Sequence, residues 1–240
     1  MSFDRKKDVG LQPTVLSAET MLGVIGTLGI VPFFENPIPG YSIEEMTARE
    51  NWFDGQEDLR LTPWDWKIPV VQSGDIAYGK FLWGGKAAFA TVEWYAELLN
   101  WRRSLPKYQP TEDQRLVLDY LAEHDTIGIK EIRGLLNVKK SAADALITKL
   151  QMQCRVVTGD ITRVYRGPDL HYNGWQVSSF CTPESLFCAD VLPGPGGFPF
   201  GEARTLVVDR SPAESLERLV EHILDIAPNA GRKQVLKMLQ

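Results

Sequence analysis

The sequence predicts an α+β chain: an N-terminal α+β unit with a small antiparallel hairpin, then three short helices followed by a β-rich pair, then C-terminal helices. Three observations carry this. Residues 77–83 and 86–92 alternate around Gly84-Gly85, a two-residue hairpin signal. Between Thr111 and Cys181, three amphipathic segments precede two β-rich ones. That order belongs to a winged-helix domain, a helix-turn-helix variant that offers one helix to a nucleic-acid groove and a hairpin to the flanking backbone. Near the end, Ser211-Pro212 opens a helix with Leu216, Leu219, Val220 and Ile223 on one face.

At 240 residues with 44% hydrophobic and 24% charged content, the chain can bury two cores and is not disordered. Its net charge of −5 excludes coating nucleic acid with the whole surface, so any DNA contact is confined to a patch. Cys154, Cys181 and Cys188 lack C-x-x-C spacing and predict neither a zinc site nor a disulfide framework. The compartment reads as reducing and the protein as cytoplasmic. Residues 21–34 are apolar and follow Arg5, Lys6 and Lys7, as in a signal peptide. Asp8, Glu19, three internal glycines and the missing cleavage pattern argue against one. The run is too short and glycine-rich for a bilayer, so no membrane association is expected.

Residues 1–16 read as a loose arm. Ser17 is the candidate N-cap of a helix with Met21, Leu22, Ile25 and Leu28 on one side. Gly23, Gly26 and Gly29 match neither G-x-G-x-x-G nor G-x-x-x-x-G-K-[ST], so they predict close helix packing rather than a phosphate cradle. Past the turn-rich Asn36-Pro37-Ile38-Pro39-Gly40, residues 35–65 hold eight acids against two arginines, a surface that repels phosphate. Residues 94–103 read as a helix closing a first unit over 17–105. Six of the seven tryptophans lie in this unit, and Trp83 and Trp94 suit its core. Trp64 and Trp66, flanking Asp65 after Pro63, are the candidates for an aromatic pocket that stacks on a base.

Residues 104–110 read as a linker into a second unit over 111–190. Thr111 caps a helix with Leu116, Val117, Tyr120 and Leu121 on its face, and Glu112 and Asp113 suit its positive end. Residues 129–136 form a second helix, stopped at Asn137. Residues 139–151 form the third, with Ala142, Ala145, Leu146 and Leu150 at helical spacing. Residues 155–157 and 175–180 read as wing strands, with 159–174 as the wing tip. Residues 139–166 carry six cations against two acids in an otherwise acidic chain. Lys139, Lys140, Lys149, Arg155, Arg163 and Arg166 are therefore the candidate nucleic-acid contacts. Over 191–240, a Pro/Gly connector at 193–201 leads to two helices expected to pack back on the body.

Leu150-Gln151-Met152-Gln153, Gly174-Trp175 and Cys181-Thr182-Pro183-Glu184 resemble the pattern of AlkZ-related proteins. So do Pro32-Phe33-Phe34, Ile38-Pro39-Gly40-Tyr41-Ser42, Pro63-Trp64-Asp65-Trp66 and Ala77-Tyr78-Gly79-Lys80-Phe81. The resemblance runs over residues 17–187. These proteins are distant relatives of the AlkZ and YcaQ winged-helix DNA glycosylases, which unhook bulky alkylated bases and crosslinks. The resemblance implies DNA as partner. It also implies a catalytic role for Gln151 and Gln153, whose Gln-x-Gln letters match the pair that holds and polarises the attacking water in those enzymes. There the pair lies near the start of a longer chain; here it ends the third helix. Two-residue spacing aims both amides to one face in extended chain and to different faces in a helix.

Three readings stand at this point. The chain binds duplex or damaged DNA through the third helix and the wing. Alternatively, it is a monofunctional glycosylase that extrudes the damaged base into the aromatic pocket. In the third reading the winged helix grips a protein partner and the acidic 35–65 segment covers the cations. None of the three calls for a cofactor, and the oligomeric state is left open.

Overall fold

The computed structural model of the chain describes residues 14–53, 62–188 and 205–240. Residues 1–13, the 193–201 connector and the acids Asp54, Glu57 and Asp58 lie outside them. Thr14 and Val15 already belong to the body, for both backbone N–H groups reach Met46 O and Val15 is buried.

Helix α1 (Ala18–Leu28) starts where Ser17 accepts from Thr20 N and Thr20 Oγ1 accepts from Ser17 N, a reciprocal cap. It stops at Gly29, whose φ of +72° suits glycine alone. A Cβ at Gly29 would meet the Trp94 ring at 2.2 Å, whereas Gly23 and Gly26 face open space. Close packing thus applies to Gly29 only, because Gly23 and Gly26 fall on the exposed side of the helix. Strand β1 (Ile30–Pro32) and helix α2 (Glu50–Phe53) follow. In helix α3 (Pro63–Gln72), Thr62 caps, Pro63 takes the first position and Asp65 reaches back to Thr62 N. Trp64 and Trp66 therefore ride on a helix rather than a loop.

Strands β2 (Ile76–Leu82) and β3 (Lys86–Thr91) make the hairpin, and helix α4 (Val92–Ser104) follows. The turn is a three-residue one, Trp83–Gly85, rather than the expected two-residue loop, and all three residues adopt positive φ. The sheet runs β1-β3-β2, antiparallel throughout. Successive residues alternate between two cores. Val31, Tyr78 and Phe89 meet Met21, Ile25 and Ile68, while Ile30, Ala77, Ala88 and Ala90 share a core with Tyr95 and Leu98.

The segment read as a linker is a built corner, with Tyr108 buried beneath Arg102. Helix α5 (Glu112–Glu123), strand β4 (Ile127–Gly128), helices α6 (Ile129–Leu136) and α7 (Lys140–Met152), strands β5 (Val157–Arg166) and β6 (His171–Cys181), and helix α8 (Pro183–Phe187) follow. The second sheet is also antiparallel, ordered β4-β6-β5. Asn137 ends α6 at φ +52° in the left-handed region. The strands of the second hairpin run longer than expected and leave only residues 167–170 as the tip. The buried stripes also differ: Val117 and Leu121 in α5, and Ala143, Ile147 and Leu150 in α7, with Leu116, Ala142 and Ala145 in water. Alanine spacing cannot choose between adjacent helix faces, because a methyl is tolerated on either.

Helices α9 (Pro212–Ile226) and α10 (Arg232–Met238) complete the chain. Leu219, Val220 and Ile223 of α9 and Val235 and Met238 of α10 join the core that holds Tyr95 and Leu98. Between α4 and α9, the fully buried Glu97 pairs with Arg210 and Arg218. The described residues thus form a mixed α/β chain with two small antiparallel sheets.

Candidate nucleic-acid interface

Helix α7 turns its apolar stripe inward and leaves Lys139, Lys140 and Lys149 exposed. Between the lysines its outer surface carries Ser141, Ala142 and Ala145, side chains too short to hold a partner's backbone away. Among the described residues no carboxylate lies within ion-pair distance of the three lysines. At the edge of this surface the β2–β3 turn abuts α7, and a Cβ at Gly85 would meet Thr148 Cγ2 at 2.8 Å. The turn brings Lys86, whose ammonium lies 4.1 Å from the centre of the Trp83 ring. Spacing marks Gly84-Gly85 as a turn but gives no hint that the turn reaches α7.

The remaining cations divide. Arg166 is exposed, and its guanidinium sits 5.4 Å from the exposed Trp175 ring. Arg163 is held inward, with Nε 3.4 Å from Asp65 Oδ1 and the guanidinium 5.5 Å from the Tyr172 ring. Partial burial alone would lower its pKa, but Asp65 more than compensates and raises it. Arg155 is half-buried beside Cys154 and Arg103, and its Nε has no hydrogen-bond partner. Burial first, then Arg103, draws its pKa down. Four of the six candidate cations thus face outward, and two are built into the body.

Asp65 is the fixed point of the β5–β6 hairpin. It accepts from Tyr172 Oη at 2.8 Å, while Gln176 Nε2 donates to Trp64 O and Gln72 Nε2 donates to Asp160 Oδ1, both at 2.9 Å. These bonds tie one face of the β5–β6 hairpin to α3. Of the acidic 35–65 segment, Asp65 alone makes an ion pair with one of the six cations among the described residues.

Gln151 and Gln153 are 2% and 6% exposed and diverge. Gln151 Oε1 accepts from Lys80 N at 2.7 Å, bolting β2 to α7. Gln153 Nε2 donates to Gln114 Oε1 at 2.9 Å, toward α5, and its own Oε1 is buried without a partner. The helix carries Gln151 and ends at Gln153, so the amides enter separate seams rather than flank one water.

The tryptophan pair also divides. Trp66 is 8% exposed and packs in the core, whereas Trp64 is 43% exposed. The Trp64 ring lies 5.4 Å from Phe33, 5.5 Å from Phe34 and 6.0 Å from Trp52, in a partly exposed aromatic cluster. Lys67, 7% exposed on the same helix, places its ammonium 4.7 Å from the Trp64 ring centre. Burial pulls its pKa down to about 8 against the opposing effect of Asp65. Composition flagged Trp64, but nothing in the spacing marked Lys67.

Among the described residues no group of three His, Cys, Asp or Glu side chains stands close enough to hold a metal, and no helix is long and apolar enough to cross a membrane. The fold and surface thus define a mixed α/β protein with an exposed lysine-bearing helix beside an anchored hairpin. The family model of AlkZ-related proteins matches residues 15–240, and the chain belongs to that family. No curated protein and no solved structure matches it.

Proposed function

We propose that this chain is a winged-helix DNA-binding protein of the DNA-repair type, gripping duplex or damaged DNA through α7 and the β5–β6 wing. The order α5-β4-α6-α7-β5-β6, with β4 pairing to β6, supports the winged-helix reading of residues 111–190. The observation that carries the DNA reading is the α7 surface. Lys139, Lys140 and Lys149 are exposed and uncompensated around Ser141, Ala142 and Ala145, in a chain whose net charge is −5. Arg166 extends the contact along the wing, and residues 17–105 serve as scaffold.

Phosphate contacts of this kind supply affinity and register without sequence information. Binding weakens with salt, and each lysine lost flattens the log–log salt slope by about 0.9. Replacing Lys139, Lys140 and Lys149 with glutamate abolishes the mobility shift of a generic duplex at low salt. Unchanged affinity of that triple variant overturns the proposal.

The partly exposed Trp64 ring favours a second reading, excision of an alkylated or crosslinked base that stacks on it once extruded. Release of modified base from a damaged duplex by the purified protein tests it. No release across a panel of lesions overturns this reading.

A further inference from the structure

We propose that the outward face of the β5–β6 hairpin is a stacking platform for unpaired bases, so that the chain holds DNA with a locally opened segment more tightly than intact duplex. The inference rests on the DNA-binding reading and adds to it a class of substrate.

The hairpin has a settled side and an open one. Gln176 Nε2 donates to Trp64 O and Tyr172 Oη donates to Asp65, so these side chains face α3. Trp175 and Val177 flank Gln176, and strand alternation turns them to the opposite side. Both are more than half exposed, and Thr162, the cross-strand partner of Val177, is exposed as well. Exposed apolar side chains that stand together, rather than singly, mark a contact surface.

The backbone itself sets the indole outward. Arg163 pairs with Gln176 and Tyr165 with Tyr172, so two steps along β5 span four along β6. This bulge contains Gly174 at φ +83°, and no neighbour lies within 4 Å of where its Cβ would stand. Glycine serves the backbone conformation there and is not needed for room. A bulge re-aims the side chain beside it, and here that side chain is Trp175.

Arg166 supplies the charge. Its guanidinium lies 5.4 Å from the centre of the Trp175 ring, and among the described residues no carboxylate is within ion-pair distance of it. With this arginine beside it the indole still stands more than half in water. A nucleotide joins a flat ring to an anion, and the patch offers an aromatic ring and a cation together. An apolar partner would cover Arg166 without pairing it, a cost that a phosphate removes.

Intact duplex cannot use the indole, because its bases are already stacked on one another. An unpaired base has a free face, and one such base on an aromatic ring raises affinity about tenfold. The lysines of α7 then hold the flanking duplex while the hairpin holds the opened strand.

The test compares two probes on the full-length protein by fluorescence anisotropy: an intact duplex, and the same duplex with a central bubble of unpaired thymines. The bubble binds about tenfold tighter. Trp175→Ala removes that advantage and leaves intact-duplex affinity within about twofold, whereas Trp175→Phe, which keeps a ring, restores most of it. Stacked thymines quench indole emission, and the quench is smaller in Trp175→Phe although the bubble is still bound. Arg166→Ala flattens the salt slope on the bubble by about 0.7. Equal affinity for the two probes, a preference that survives Trp175→Ala, or a loss in that variant shared equally by both probes overturns this inference and leaves the DNA reading standing. Binding of wild-type protein to neither probe overturns both.

Discussion

The hairpins β2–β3 and β5–β6 share antiparallel, alternating strands yet meet water differently. In the first, Phe89 and Tyr78 go to one core and Ala77, Ala88 and Ala90 to another, so neither face is free. A three-residue turn closes it, and Gln151 pins its edge to α7. In the second, one face is tied to α3 by polar bonds from Tyr172, Gln176 and Arg163, while Trp175 and Val177 stand in solvent. A hairpin covered on both sides can only hold the fold together. One that is anchored by specific hydrogen bonds on a single side leaves the other exposed.

The sharpest break between the two is an aromatic deletion in the covered hairpin. Phe89→Ala empties a fully buried site between β1 and β2 and costs about 3–5 kcal/mol in urea unfolding. A loss under about 1 kcal/mol would mean that the first sheet is looser than its two cores imply.

Helix α3, which touches both hairpins, gives the next effect, and its sign depends on pH. Lys67 releases its proton near pH 8 in the folded chain and near 10.5 when unfolded. Below pH 8 both states are protonated and the fold bears the full cost of the buried ammonium. Between the two values the unfolded chain binds more protons, so stability climbs with pH. Lys67→Met therefore stabilises the protein at pH 7 by about 2–3 kcal/mol, a gain that fades as the pH approaches 10.5. Equal gains at pH 7 and pH 10 would remove the case for a low-pKa amine.

Asp65 tests the anchoring itself. Asp65→Ala strips Tyr172 and Arg163 of the β5–β6 hairpin of their partner on α3 and costs about 1–3 kcal/mol. Amide exchange across residues 161–178 quickens more than in β2 or β3. The freed Arg163 becomes available to phosphate, so duplex affinity rises and the salt slope steepens by about 0.9. Weaker binding in this variant would show that the anchored posture of the wing is the one DNA needs.

Much of the architecture was legible because caps and turns act locally. Ser17, Thr111, Asn137 and Ser211-Pro212 set helix ends through bonds to residues three or four away. Lys149 was legible for the same reason, since spacing places it opposite the buried stripe of α7, whereas Lys139 and Lys140 are exposed because they stand at the start of the helix. What escaped depends on contacts across many residues. The Arg163 side chain points at Asp65 because the β5–β6 hairpin docks on α3, 98 residues away in sequence. The Lys80–Gln151 bond and the burial of Lys67 arise in the same way, from packing that no window of spacing encodes. Alanines misplaced the buried stripe of α7 because they weigh almost nothing in either direction.

The smallest effect on stability is the one that most sharpens the contrast between the hairpins. Trp175 is 56% exposed and touches Arg166 alone among the aromatic and cationic contacts of the wing. Trp175→Ala therefore changes unfolding free energy by less than about 0.5 kcal/mol, an order of magnitude below Phe89→Ala. Its effect on binding is larger, because an indole in water beside a guanidinium is a stacking surface worth about 1–3 kcal/mol per base. Affinity for an abasic or mismatched duplex, whose bases are already partly unstacked, falls more than affinity for an intact one. Phosphate contacts are untouched, so the salt slope stays as it was. A variant that lost stability and kept its affinity would invert the assignment, making the second hairpin as structural as the first.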